Sequence, residues 1–238
     1  MAHLDNSAAL PVHIGFIVDG NRRWAKSRSL PTRAGHEHAI KVLKQMAYAA
    51  QARDIKYISA YIFSTENWNR TKEEVGYLMD LFLQYFAKDM KQLVKDGFRI
   101  VFLGRPNGVR AKIREAIAKT EEDSRNNTGT TLALCFNYGG QAEIVDASRE
   151  IAEKVARKEL KTDDITEETF AKFLYHPEIP PLDMMVRSSG EQRLSGFMLW
   201  RAAYAELMWI DKMWPDMTEK DLDNVLAEFA KRSRRFGK

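Results

Sequence analysis

A single cysteine, Cys135, in 238 residues excludes an internal disulfide framework. Its place inside an apolar run marks it as a small buried hydrophobe of a reducing compartment. No uncharged apolar run is long enough to span a bilayer, and the first residues lack the basic region and apolar core of a secretory signal. A cytoplasmic location is therefore expected, with contact at a membrane surface left open. Neither G-x-x-x-x-G-K-[ST] nor G-x-G-x-x-G occurs, which removes the main support for nucleotide hydrolysis and dinucleotide binding. H-E-x-x-H and paired cysteines for zinc are missing too. There is no internal repeat, no low-complexity segment and no linker, so one domain over residues 12–238 is expected after a flexible segment 1–11. The net charge of +4 permits an anionic ligand without demanding nucleic acid.

Apolar runs and helical periodicities alternate along the rest of the chain. Residues 12–18, 55–63, 98–103, 131–136, 183–186 and 207–210 read as strands, the second rich in aromatic and β-branched side chains. Between them, Ile40, Leu43, Ala47 and Ala50 recur at helical spacing. Val75, Leu78, Met79, Phe82, Leu83, Phe86, Met90 and Leu93 form a wide stripe through about five turns, ended by Gly97. A last helix over residues 218–232 begins at a Thr cap. The pattern predicts an α/β fold, a single domain with a central, mostly parallel six-stranded sheet flanked by helices.

The unusual polar residues cluster where strands end. The first strand empties into Asp19-Gly20-Asn21-Arg22-Arg23-Trp24, the second into Ser64-Thr65-Glu66-Asn67-Trp68-Asn69-Arg70, the fourth into Asn137-Tyr138-Gly139-Gly140, and the fifth into Arg187-Ser188-Ser189-Gly190-Glu191-Gln192-Arg193-Leu194-Ser195. In a parallel sheet such exits lie along one edge and can line one cleft. Arginines and backbone amides there suit anions with several oxygens. Asp19 would repel a bare phosphate, unless a divalent cation stands between them. Taken alone, the Asp19 loop could be a capping turn and the Arg187 span a solvated surface turn. Together they favour a site for two anionic groups and a metal. The Met and Phe wall of the long helix must mostly be core, but a tunnel beside it could shelter an apolar chain, and an anion site next to such a tunnel suits a lipid diphosphate. The basic end, Lys231 to Phe236, reads as a solvated helix terminus.

These four motifs, with Trp200-Arg201-Ala202-Ala203-Tyr204-Ala205-Glu206-Leu207 as a fifth, resemble the cis-prenyltransferases of the undecaprenyl diphosphate synthase type, in register from about His13 to Gly237. The resemblance implies a homodimeric enzyme that adds isopentenyl diphosphate units to an allylic diphosphate, uses Mg²⁺, holds the growing chain in a hydrophobic tunnel beside the sheet, and contacts membranes peripherally through its lipid product. It implies that Asp19 is the essential metal-binding carboxylate and Glu206 a second one near the dimer interface. Gly20, Asn21, Arg22, Arg23 and Trp24 match the loop that holds the allylic diphosphate, with His36 and Arg70 close by. Arg187, Arg193, Leu194 and Ser195 match the isopentenyl diphosphate site. Ser64, Thr65, Glu66, Asn67 and Trp68 match a mobile segment over the reacting centre, where Asn67 stands at the position of the proposed base. An amide has no useful basicity, so Asn67 is expected to orient the group that takes the proton.

The sequence departs from the family pattern at three points. Thr32 stands where Arg is frequent, with Arg33 following it, so either Arg33 takes over that contact or it is missing. Gly196 replaces a frequent Asn. Ile62 replaces a small residue beside the tunnel and points toward a product shorter than undecaprenyl. A short-chain cis-prenyl synthase and a non-catalytic partner subunit of the same fold are the other readings; Asp19, Arg187, Arg193, Ser195 and Glu206 count against the latter. An RNA-binding role has only the basic tail behind it.

Overall fold

The computed structural model describes residues 10–232, with the side chains of residues 85–87 outside that description. The expected flexible segment 1–11 therefore falls almost wholly outside the described residues, as does the basic end beyond Arg232, and the place of Phe86 in the apolar stripe is likewise outside them. Six strands, β1 (His13–Ile17), β2 (Tyr57–Ser64), β3 (Arg99–Leu103), β4 (Thr131–Tyr138), β5 (Met184–Arg187) and β6 (Glu206–Trp209), form one sheet in the order β3-β4-β2-β1-β5-β6. Every pairing is parallel, so the sheet is all parallel rather than mostly so. The chain builds outward from β1 through β2 to β3 at the edge, inserts β4 between β3 and β2, then returns to place β5 on the other side of β1. The order thus reverses beside β1, and the crevice at such a switch point is where open α/β sheets bind ligands.

Helices on both faces explain the continuous apolar strands, and strand alternation divides the core in two. Ile14, Phe16, Ile58, Ala60, Leu132 and Leu134 face one side, packed by α2 (Thr32–Gln51), α3 (Lys72–Tyr85), α4 (Lys91–Lys95), α5 (Ala111–Ser124) and α8 (Glu219–Lys231). Ile17, Tyr61, Ala133, Cys135 and Met185 face the other, with Phe197 and Met198. Cys135 is fully buried there, and burial pushes its thiol well up, as a structural hydrophobe requires. The other helices are α1 (Asn21–Ser27), α6 (Gly140–Ala156) and α7 (Glu167–Ala171). Among the described residues no helix is long and apolar enough to cross a membrane.

Strand ends differ from the sequence reading by one or two residues throughout, and two differences bear on the site and the long helix. β4 runs on through Asn137 and Tyr138, which the sequence places at the strand's exit. The stripe over residues 75–93 is not one regular helix: a π-helical turn, Phe86–Met90, separates α3 from α4. Neither Pro nor Gly marks that break, so periodicity alone could not reveal it. The end at Gly97 is as expected. Its φ is +87°, and the N–H groups of Gly97 and Phe98 donate to Val94 O (3.1 Å) and Leu93 O (3.0 Å) in a Schellman pattern.

Candidate active site

The exits of β1 and β5 are stitched together before any ligand is considered. The Asp19 N–H donates to Ser188 Oγ at 3.0 Å, and the Ser188 hydroxyl donates to Asp19 O at 2.9 Å. Gly20 turns the chain at φ +95°, and a Cβ there would meet Ser189 Oγ at 2.7 Å and Met213 Cβ at 3.0 Å. Glycine is required on both grounds. Its N–H donates to Asp19 Oδ1 at 2.6 Å. Asp19 Oδ2 accepts from Arg187 Nη2 at 3.0 Å, while Arg187 Nη1 donates to Arg193 O (2.5 Å) and Ser195 Oγ (2.8 Å). Arg187 is buried, and its Nε has no partner. One guanidinium therefore joins the Asp19 loop to the Arg193–Ser195 loop. Ser189 and Ser195 adopt left-handed φ of +78° and +48°, a local strain of the sort that gathers at functional sites.

The other arginines are held by carboxylates. Arg70 Nη1 lies 2.9 Å from Glu74 and Arg22 Nη1 3.6 Å from it. Arg23 lies 3.2 Å from Glu191, whose other oxygen holds Arg193 at 2.5 Å. Neither glutamate is singled out by the sequence reading, although the i,i+4 spacing of Arg70 and Glu74 was a signal for one of them.

Three cavities meet at Val18, Asn21 and His36. The first, about 780 Å³, is lined by Asp19, Gly20, Arg22, Arg23, Thr32 and Arg70 among others. The second, about 510 Å³, brings Ser64, Glu66, Asn67 and Arg70 against Asp19, Arg187 and Ser195. The third, about 70 Å³, is apolar and runs between α2, α3 and the sheet, with Ile62, Leu78 and Phe82 in its wall. At the junction, His36 Nε2 and Asn21 Oδ1 are buried without partners. Burial first, then the positive charges of Arg70 and Arg22, lower the His36 pKa to about 4. His36 is thus neutral at pH 7, a hydrogen-bonding group rather than a cation.

Not every expected residue turns toward these cavities. The Trp24 indole donates to Asp216 Oδ1 at 2.7 Å and stacks on His38, with the Arg28 guanidinium over its ring. Trp68 donates to Asn137 Oδ1 at 2.7 Å, and with Thr65 it lines a separate cavity on the far side of the Thr65–Asn69 3₁₀ turn. Leu194 packs against the second core. Arg193 is exposed and contributes its carbonyl to Arg187. Arg33 donates to Glu37 (2.7 Å) and Gln84 (3.5 Å) and does not line the first cavity, which Thr32 does. Gly196 has φ +77° and its carbonyl accepts from Gly140 N at 2.7 Å. Glu206 starts β6, in register with Met184 and, one strand further, Ile14, well before the exits where Asp19 lies. Its carboxylate holds Arg232 at 3.1 Å, so one chain does not bring Glu206 and Asp19 together.

The donor set at Asp19 fits a hard divalent cation of the Mg²⁺ kind. Such ions are held by one or two carboxylates plus substrate phosphates rather than by an all-protein cage. Asp19 offers a part-exposed carboxylate at the rim of an arginine-lined cavity, and the Asn21 and Ser189 side-chain oxygens are buried and unpartnered. Among the described residues no group of three or more His, Cys, Asp or Glu is placed to hold a metal by itself.

An all-parallel α/β sheet with two arginine-rich cavities and an apolar one at its switch point belongs to an enzyme that can hold anions with an apolar body. Comparison with known proteins makes the class specific. A family model described as "Putative undecaprenyl diphosphate synthase" matches residues 17–237. The chain is 43% identical to an isoprenyl transferase of Thermotoga maritima, over 96% of this chain and 97% of the other. It is 40% identical to the trans,polycis-polyprenyl diphosphate synthase ((2Z,6E)-farnesyl diphosphate specific) of Thermobifida fusca, over 96% and 81% of the two chains. The crystal structure of lavandulyl diphosphate synthase from Lavandula x intermedia in complex with dimethylallyl diphosphate superposes with a TM-score of 0.93 at 35% identity, covering 96% of this chain and 99% of that one. The chain belongs to the undecaprenyl diphosphate synthase family and is a cis-prenyltransferase.

Proposed function

We propose that the enzyme condenses isopentenyl diphosphate with an allylic diphosphate, such as farnesyl diphosphate, repeatedly and with cis geometry, to give a Z-polyprenyl diphosphate of the carrier-lipid type. The observation that carries this reading is the junction at His36 and Asn21, where two arginine-lined cavities open onto one apolar cavity. The allylic diphosphate occupies the first cavity against Gly20, Asn21, Arg22, Arg23 and Arg70, with its chain directed past Ile62. Isopentenyl diphosphate occupies the second, held by Arg187 and Ser195 with Arg193 swinging in from the surface.

The allylic C–O bond breaks, diphosphate leaves with the bonding pair, the π-bond of isopentenyl diphosphate attacks the allylic carbon, and a proton leaves its carbon 2. Fixing both diphosphates aligns the reacting carbons and turns an encounter into an effectively unimolecular step. Amides of the Gly20 loop and Arg23 are placed where negative charge builds on the leaving group. Asp19 is the residue that would hold Mg²⁺, which when bound supplies further positive charge to that diphosphate. Asn67 Oδ1 accepts from Ser64 N–H at 3.0 Å, which leaves Nδ2 as the end of the amide that can orient a diphosphate oxygen or water as proton acceptor.

The enzyme acts as a homodimer in the cytoplasm, touching membranes through its product. Glu206 lies on the sheet's edge strand β6, beside the exposed Leu207, where a second copy could bring it to a shared site. Ile62 in the wall of the apolar cavity supports a second reading, a product shorter than undecaprenyl. Incubation with labelled isopentenyl diphosphate, Mg²⁺ and starters of different length, followed by product sizing, tests both. Incorporation with at least one starter is expected, and none with any starter would sink the proposal.

A further inference from the structure

We infer that the ion pair between Lys44 and Asp89 is the floor of the apolar cavity and sets how long a product the enzyme makes; this rests on the chain-elongation reading above. Asn21 and His36 are the polar lining residues at the diphosphate end, and Lys44 and Asp89 are the other two with charge-bearing or amide side chains. Lys44 Nζ lies 2.8 Å from Asp89 Oδ1, and both side chains are largely removed from water. His36, Ile40 and Lys44 follow one another at i, i+4 and i+8 on the same face of α2, so Lys44 stands roughly 12 Å along the helix from His36. The sheet gives the same direction. Ile62 lies near the exit end of β2, whereas Leu132, also in the lining, is in register with Ile58, two periods of side-chain alternation deeper.

Across the cavity, Asp89 sits on the π-helical turn between α3 and α4, a kind of break that is frequent at functional sites. The polar contact continues below the pair. The Tyr48 hydroxyl, one turn beyond Lys44 on α2, donates to Asp96 just past α4, and Lys44 also acts electrostatically on Asp96. Lys44, Tyr48, Asp89 and Asp96 thus tie the two helical walls together over two successive levels, with the Lys44–Asp89 pair the upper one.

An isoprenoid chain extending from the diphosphate site gains by replacing water against Ile40, Leu43, Leu78 and Phe82. On reaching the pair it must strip the remaining water from two charges, or part them, and it offers neither a hydrogen bond in return. Growth past this level is therefore opposed where growth up to it is favoured, and the product is released at the length that fills the space above.

The test is the Lys44→Met, Asp89→Leu double variant, supplied with excess isopentenyl diphosphate and one fixed starter, with products sized beside those of the wild type. The expected result is a distribution shifted to products longer by one or more isoprene units, and the charge-swapped Lys44→Asp, Asp89→Lys variant restores the wild-type distribution. An unchanged or shortened distribution from a double variant that melts cooperatively would overturn the inference. Should that variant not fold, the close to isosteric Lys44→Gln, Asp89→Asn double variant, which removes both charges, decides in its place: longer products support the floor, and unchanged products reject it. A wild-type enzyme that incorporates no isopentenyl diphosphate is a different failure, which removes the elongation reading itself.

Discussion

Asp19 carries two duties that pull against each other. Without ligands its carboxylate is the counter-ion of the buried Arg187, and in the proposed reaction it must face a cation. The pairing keeps Arg187 pointed at the Asp19 loop, so each residue holds the other in place for substrate. Asp19→Ala is expected to lower kcat at least 10²–10³-fold, the scale seen when one preorganised charge-stabilising group is lost, with an unchanged far-UV circular dichroism spectrum; substantial retained turnover would remove the metal role. Asn67 is similarly double. It closes a reciprocal capping box with Ser64 at the start of the 3₁₀ turn, so its oxygen is already committed to backbone. Asn67→Asp keeps that acceptor and loses the amide donor. We expect preserved stability with a clear fall in kcat, and full activity in this variant would argue against an orienting amide.

At the scale of elements, the site depends on how closely two helices meet. Gly35 lies in the second turn of α2, where a Cβ would sit 2.0 Å from Asn21 O and 3.3 Å from the Ala25 Cβ. Only a glycine lets α1 lie against α2 here, and α1 carries Asn21, Arg22 and Arg23. Gly35→Ala is expected to cost about 1–3 kcal/mol, as overpacking typically does, and to raise KM for the allylic substrate more than for isopentenyl diphosphate; equal effects on both would mean that α1 is not displaced. The 3₁₀ turn after β2 is positioned from behind in the same manner. Asn137, at a left-handed φ of +49°, donates to the carbonyls of Arg105 (2.8 Å) and Asn107 (3.0 Å) while accepting from Trp68. Trp68 and Asn137 therefore act as the turn's anchor, which explains why a tryptophan of this motif faces away from the cavities.

For the molecule as a whole, two histidines set the acid limit. His13 is fully buried at the start of β1, its ring nitrogens bonded to Pro180 O and Ser59 Oγ at 2.8 Å each. Burial is the main cause of a pKa lowered from 6.5 to about 4, and His36 shifts the same way. Between those values the unfolded chain binds protons that the folded chain refuses, so stability rises with pH there and is lost as pH falls from about 6.5 toward 4. For His13 alone the shift corresponds to roughly 3 kcal/mol. His176, raised by Glu121 and Glu178, has the opposite sign and loses its contribution as pH rises through its own pKa. Denaturant midpoints measured from pH 7 to 4.5 are expected to fall, and His13→Gln, which keeps a donor and an acceptor without titrating, should flatten the slope. An unaltered slope would show that His13 is not the titrating group.

What the sequence determined by itself was local. Hydrophobic runs of strand length, helical periodicity and the Gly and Thr boundary residues are consequences of nearest-neighbour geometry, so the six strands, the helices between them and the polar clusters at four strand exits were legible without coordinates. Five motifs in order were enough to identify the family. Tertiary structure decided whatever depends on strand order and on the direction of side chains. It set β5 beside β1, which is why Arg187 reaches Asp19 across 168 residues. It turned Trp24 and Trp68 away from the cavities, gave Glu74 and Glu191 to the arginines as counter-ions, and placed Glu206 far down an edge strand. It also broke the long helix at Phe86–Met90, where no residue type announces a break, and so set Asp89 opposite Lys44. Each of these outcomes minimises unpaired charge and unfilled space over contacts distant in sequence, and no local pattern carries that information.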